Sequence, residues 1–346
     1  MYAGYLYAHF KRESVDGEQI YFALSDGNDP LHFADLNGGK PVLYSALGEG
    51  GVRDPHIVRS PEGDRFYLIA TDLRLYASLD WDRHQRRGSR SIMLWESPDL
   101  VNWGDGRLVE VAPPEAGNAW APEAVWDPER DAYLVHWSST LYDNAEHEGE
   151  SYNRIMYATT RDFREFSEPR VWIDRGWQTI DTTVIEADRL WYRFLKDERS
   201  RSPNAPFGKS IFSETSTSLT DAEWKPLAEG IGLGAIAQGE GPLVYKSNTE
   251  DRWYLWIDEF TPERRYVPFE TTDLAGGEWT PAKHHRLPPD PCHGVVLPVT
   301  PQEESATDVS GDCQLLEHLE GTARAEQRRP SPGRIGRDTG DRPCDR

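Results

Sequence analysis

Two motifs, each present five times and interleaved along the chain, constrain the fold more than any other feature of this sequence. The first is an apolar run, a Ser/Thr- and Asp-containing turn, and a closing aromatic: Phe33, Trp103, Phe166, Trp224 and Trp279 end its copies at intervals of 70, 63, 58 and 55 residues. The second is a short polar signature that opens a strand, a turn, and a second aromatic-rich run. It occupies residues 54–72, 121–139, 181–198 and 240–258, with a shortened copy at 293–300. Turn pieces such as Glu62-Gly63-Asp64 and Pro128-Glu129-Arg130 separate runs rich in Val, Ile, Tyr, Trp and Phe, the local chemistry of β-hairpins. Two hairpins per repeat make four strands. A lone four-stranded sheet cannot bury both faces, so such units stack radially. The pattern predicts an all-β fold, a five-bladed β-propeller with four-stranded blades over residues 1–305. The closing aromatics are expected in the packing between blades.

From residue 306 the repeats stop, and 306–346 reads as a polar, disordered C-terminal tail. Within the propeller, residues 73–91 interrupt the repeat unit immediately after the run that ends at Asp72, and carry Trp81, Asp82, His84, Arg86, Arg87 and Arg90. A long loop in a regular array is expected to shape a site. The formal charge of −21 disfavours nucleic acid and anionic membranes as partners, and no apolar run nears the ~20 residues of a membrane-spanning helix. The first ten residues show no leader pattern, so the expected location is cytoplasmic, or secreted if a leader has been removed. Cys292, Cys313 and Cys344 are odd in number and lack metal-ligand spacing, which points to neither a disulfide framework nor a zinc site.

In a propeller the innermost strands converge on a central channel. The repeat starts would therefore gather Asp54, Glu123, Asp181, Glu240 and His293 at one mouth. A ring of like charges is costly to assemble and is a poor choice for stability alone. Paired carboxyl groups across a pocket suit glycosidic bond cleavage, which needs a protonated acid on the leaving oxygen and an ionised partner on the other face of the sugar.

Arg53-Asp54-Pro55 with Gly63 to Leu68, Trp120-Ala121-Pro122-Glu123, Ile180-Asp181, and Glu240-Gly241-Pro242 with Arg252 to Leu255 together resemble glycoside hydrolase family 43 over roughly residues 1–300. The resemblance implies a five-bladed propeller and an inverting glycosidase acting mostly on arabinofuranosides and xylosides. It makes Asp54 the general base, Asp181 the group that orients the acid and tunes its pKa, and Glu240 the general acid. Thr182 departs from the Pro or Ala that often follows the aspartate. Glu123 is assigned to sugar binding or pocket support, and His293 to hydrogen bonding near the acid or to a hydrated calcium ion in the channel. No cofactor is otherwise required. Trp120, and after it Trp81 and Trp177, are candidate sugar platforms; Arg53, Arg90 and His56 are candidate donors to hydroxyls.

The implied activity is exo removal of a terminal furanosyl residue from oligosaccharides or polysaccharide side chains, α-L-arabinofuranosidase first, then β-D-galactofuranosidase, then β-xylosidase. Two alternatives stand beside it. A retaining, fructan-cleaving family shares Arg-Asp-Pro, but Asn28-Asp29-Pro30 falls in a turn and Glu240 precedes Gly rather than Cys. A propeller that only binds glycan would have no need of an acid facing a base.

Overall fold

The computed structural model describes residues 1–308 except 221 and 222. Twenty strands form five four-stranded antiparallel sheets, as the repeats predict. In blades two to five the inner hairpin comes from the second motif and the outer hairpin from the first. Their inner strands are Val52–Arg59, Trp120–Asp127, Thr179–Ala187 and Gln238–Lys246. The shortened fifth copy has a topological cause. Its strand Gly294–Val299 is the inner strand of blade one, and it pairs antiparallel with Gly4–His9 from the other end of the chain. Leu6 faces Leu297 and Ala8 faces Val295, so the ring closes through a hairpin built from both ends.

The core is divided among the seams between blades. Leu6, Phe22, Leu68 and Trp95 fill the seam between blades one and two; Ile69, Leu94, Val135 and Trp137 fill the next. Tyr7, Phe33 and Trp256 join blades one and five, and Phe194, Leu255 and Phe269 join blades four and five. The closing aromatics act here as expected. Trp103 meets Phe22 at 5.9 Å, Trp224 meets Trp172 at 6.0 Å, Trp279 meets Phe194 at 5.6 Å and Phe33 meets Trp256 at 5.4 Å, each reaching a neighbouring blade. Edge-to-face pairs of this kind add about 0.5–1.5 kcal/mol beyond the area they bury.

One expectation needs correction. The insertion at 73–91 is not all loop: Trp81–Arg87 is helical, with the Asp80 side chain accepting from the Arg83 amide at its start. The helix is fastened to blade three by Thr140 Oγ1 donating to the Gln85 carbonyl at 2.7 Å and the Gly88 amide donating to Gly117. At the end of the described residues, 301–308 are helical, and Glu303 pairs with Arg59 at 2.7 Å. The remainder of the predicted tail, with Cys313 and Cys344, lies outside the described residues.

Candidate active site

Each of four inner strands carries a bulge near its start. The register slips between Arg53 and His56, Trp120 and Glu123, Ile180 and Thr183, and again after Glu240. Within each slip one residue has a positive φ: Asp54 at 50°, Ala121 at 46°, Asp181 at 52° and Gly241 at 51°. Three of these bulges place Pro next in sequence (Pro55, Pro122 and Pro242), a residue tolerated where the ladder bond is already broken. Thr182 takes that place in the fourth, and the bulge forms all the same. The left-handed conformation costs a non-glycine residue about 1–2 kcal/mol, and such strain tends to be kept where a side chain must be aimed. The bulges also correct the alignment of the repeat starts. Asp54 and Asp181 are structural equivalents, whereas Glu123 lies two residues beyond its bulge residue and Glu240 one residue before.

Asp54 is anchored from two sides. Thr71 Oγ1, fully buried, donates to Asp54 Oδ2 at 2.8 Å and accepts from the Ala121 amide at 2.7 Å. His293 Nδ1 stands 3.5 Å from Asp54 Oδ1. Burial works to raise the Asp54 pKa, but His293, Arg53 and the Thr71 hydroxyl outweigh it and hold the carboxyl below its ordinary range. For His293, burial opposes the charged ring, yet Asp54 and then Asp181 and Glu123 lift its pKa to about 9. Asp54 and His293 thus form an ion pair at neutral pH.

Asp181 lies across the channel, its Oδ2 accepting from the Gly241 amide at 3.0 Å while its own amide donates to Ser138 Oγ at 3.2 Å. The first of these bonds fixes the peptide that follows Glu240. Burial raises Asp181 to about 6, with His293 and Lys196 opposing and Glu240 and Asp54 reinforcing. Glu240 Oε2 is 2.6 Å from Lys196 Nζ, and the same ammonium is 2.6 Å from Glu198 Oε2.

Above these groups opens a cavity of about 410 Å³. Glu240, Arg53 and Trp120 line it, as do Trp81 and Gln85 from the helix of the insertion. Trp81 and Trp120 meet edge to face at 5.9 Å, and the Arg53 guanidinium lies 5.3 Å over the Trp81 ring. Asp54 and Asp181 are each the next residue after a lining one, Arg53 and Ile180.

Other sequence-derived candidates fall elsewhere. Glu123, 5 % exposed, sits 3.5 Å from His56 Nδ1 and 3.9 Å from His293 Nε2, and burial raises its pKa to about 8. It is a buried support of the channel rather than a lining residue. His56 has its Nε2 3.0 Å from the Ala124 carbonyl, so that donor is spent on the backbone. Arg90 is paired with Glu110 at 3.1 Å, outside the cavity lining. Trp177 stacks under Arg199 in a separate cleft of about 70 Å³. Asn28-Asp29-Pro30 lies in an outer-hairpin turn, where Asp29 pairs with His32 at 2.6 Å. Both His293 nitrogens face carboxylates, and among the described residues no group of three or more His, Cys, Asp or Glu could hold a metal ion directly.

Lys196 and Asp258 escaped the sequence reading. Both lie in the later part of the second strand of an inner hairpin, Lys196 opposite Ile180 and Asp258 opposite Glu240. Burial, and then the Glu240 charge, lifts Asp258 to about 8. The signal was present in the charged ends of those strands, Lys196-Asp197-Glu198 and Asp258-Glu259.

Comparison with known proteins agrees with this architecture. A model of the glycoside hydrolase 43-related family, described as a probable glycosyl hydrolase domain, matches residues 1–305. An α-L-arabinofuranosidase from Bifidobacterium longum subsp. longum is 37% identical over 323 residues, covering 82% of this chain and 29% of that protein. The chain therefore spans under a third of that relative's length. A thermostable family-43 glycoside hydrolase of known structure superposes with a TM-score of 0.50 at 18% identity, over 70% of this chain and 76% of the other, a likeness of fold. With the family match running the length of the propeller, the chain belongs to the glycoside hydrolase family 43-related glycosyl hydrolases.

Proposed function

We propose that this chain is an exo-acting, inverting glycoside hydrolase that removes terminal α-L-arabinofuranosyl residues from oligosaccharides or polysaccharide side chains. The observation that carries the reading is the unequal preparation of the carboxyl groups at one cavity. Asp54 is held ionised by His293 and Thr71, as a base that activates water must be, while Glu240 is the member of the trio that lines the cavity and can reach a leaving oxygen. Asp181 binds the amide next to Glu240 and so positions the acid. The ionised base takes a proton from water as the water attacks the anomeric carbon; the acid gives a proton to the departing oxygen.

The choice of sugar is supported by the arabinofuranosidase relative, and exo action by the insertion, whose Trp81 and Gln85 wall the cavity. Trp81 and Trp120 offer apolar faces to a sugar ring.

The test is a proton NMR time course on 4-nitrophenyl furanosides and xylosides, with variants. Release of inverted arabinose alone from the arabinofuranoside is expected. Retained product would overturn the mechanism, early oligosaccharide products from a polymer would overturn exo action, and inactivity on the whole panel would favour a glycan-binding propeller. Glu240→Gln should suppress cleavage of substrates with poor leaving groups far more than of activated aryl glycosides, since only the former need protonation. Equal losses would remove Glu240 from the acid role. Asp54→Asn should abolish both.

A further inference from the structure

The wall of the cavity supplied by blades one, two and five carries charge that a neutral sugar does not require. Arg12, Arg53 and Arg264 all line it, with the carboxyl groups of Glu13 and Asp258 among them. Arg264 Nη2 donates to both Glu13 oxygens at 3.0 and 2.8 Å; Arg12 Nη2 donates to the Arg264 carbonyl at 2.6 Å and pairs with Asp290 at 2.9 Å. Each of these two arginines thus commits a single nitrogen, and each side chain is about two-fifths exposed. Arg53 is 8 % exposed, stands 3.6 Å from Glu13 and from Glu18, and its buried Nη1 has no hydrogen-bond partner. Glu18 offers it little, because its two oxygens accept from the Leu75 and Tyr76 amides.

With Asp258 neutral, four basic groups and three carboxylates line the cavity, a surplus of one positive charge. Lys196 is occupied between Glu240 and Glu198, and burial raises Asp258 to about 8, leaving it uncharged at neutral pH. Guanidinium groups with open N–H pairs match a planar carboxylate in two-point geometry. The wall is also on a definable side of the reaction: Arg264 follows strand Trp253–Thr261, the register partner of the strand that carries Glu240. The acid must face the leaving group, so the arginines border that side.

We propose that Arg12, Arg53 and Arg264 read a carboxylate on the leaving-group sugar, so that the preferred substrate is an arabinofuranosyl residue attached to a uronic-acid-bearing glycan. This rests on the arabinofuranosidase reading and narrows its substrate class. The chain's overall charge of −21 makes the local cluster more, not less, selective: an acidic glycan is repelled elsewhere and accepted here.

The experiment compares α-L-arabinofuranosyl-glucuronic acid with its methyl ester, an uncharged near-isostere, on the wild-type protein. The acid is expected to be cleaved with a kcat/KM at least tenfold higher at low salt. That ratio should fall towards one at high ionic strength, because exposed charges are screened. Arg264→Gln and Arg12→Gln should each lower the acid/ester ratio. Equal rates on acid and ester, or a ratio indifferent to salt, overturn this inference and leave the parent reading standing. Failure to cleave either compound or 4-nitrophenyl α-L-arabinofuranoside overturns the parent reading and this one with it. Should a variant not fold, the wild-type ratio and its salt dependence decide the matter.

Discussion

Thr71→Val tests whether the base is prepared by the protein rather than by its composition. The substitution keeps the shape of a fully buried side chain and removes one oxygen that serves two partners, Asp54 and the Ala121 amide. Losing a hydrogen bond to an ionised group costs about 1.5–3 kcal/mol, and leaving a buried amide unpaired costs about 1–3 kcal/mol. Together they suggest a loss of about 3–5 kcal/mol. A propeller of this size has an unfolding entropy near 0.6 kcal/mol/K from ~2.1 cal/mol/K per residue, so the melting temperature should fall by roughly 5–8 °C. The functional consequence is separate. The lost bond stabilised the carboxylate and not the acid, so Asp54 titrates higher by about one unit for each 1.36 kcal/mol lost. Activity that needs ionised Asp54 rises with pH through its pKa, so the ascending limb of kcat/KM should move up by about one unit while the plateau is less affected. Calorimetry and a pH–rate profile on an activated aryl arabinofuranoside measure both. A limb that stays in place while stability falls would refute control of Asp54 by Thr71; no change in either would refute the hydrogen-bond geometry itself.

Three further perturbations separate the parts of the site. Gly241→Ala places a Cβ 2.7 Å from the His293 ring at a φ of +51°, so it should displace His293 from Asp54 and cut kcat/KM at least tenfold; a wild-type rate would show that the ring position is immaterial. Stability should decline as pH rises from about 6.5 to 9, above the range in which the buried neutral His9, His56 and His136 make it rise. The raised pKa of His293 gives stability that is complete below ~6.5 and lost through about 9, and the raised pKa of Glu123 gives stability lost between ~4.5 and about 8. His293 alone corresponds to about 3 kcal/mol, and Glu123→Gln, which cannot ionise, should flatten the lower part of the melting-temperature curve; an unchanged curve would contradict the buried neutral state. Arg90→Ala removes a pair with Glu110 outside the cavity and should change kcat/KM less than twofold on any arabinofuranoside, a larger loss placing Arg90 at the substrate after all.

The blades were legible because each hairpin announces itself locally, through β-formers on either side of a turn, and because five copies of a unit that cannot bury itself leave little choice of architecture. That Asp54, Asp181 and Glu240 gather around one cavity was legible for a related reason: they open the repeats, and a radial array brings repeat starts together. The arginine wall was not. Arg12 and Arg264 sit in loops near opposite ends of the sequence, and only the pairing of Gly294–Val299 with Gly4–His9 makes blades one and five neighbours. Lys196 and Asp258 were hidden differently, on second strands whose register with the first slips at the bulges. Those slips are where sequence periodicity fails and where the proposed catalytic carboxyl groups sit. A regular strand turns alternate side chains to opposite faces, and it cannot aim a carboxylate into the channel and also continue a packed blade without an extra residue. The positive φ at Asp54 and Asp181 is the local cost of that aim. Regular repeats therefore bring the candidate residues together, and their irregularities aim the carboxyl groups.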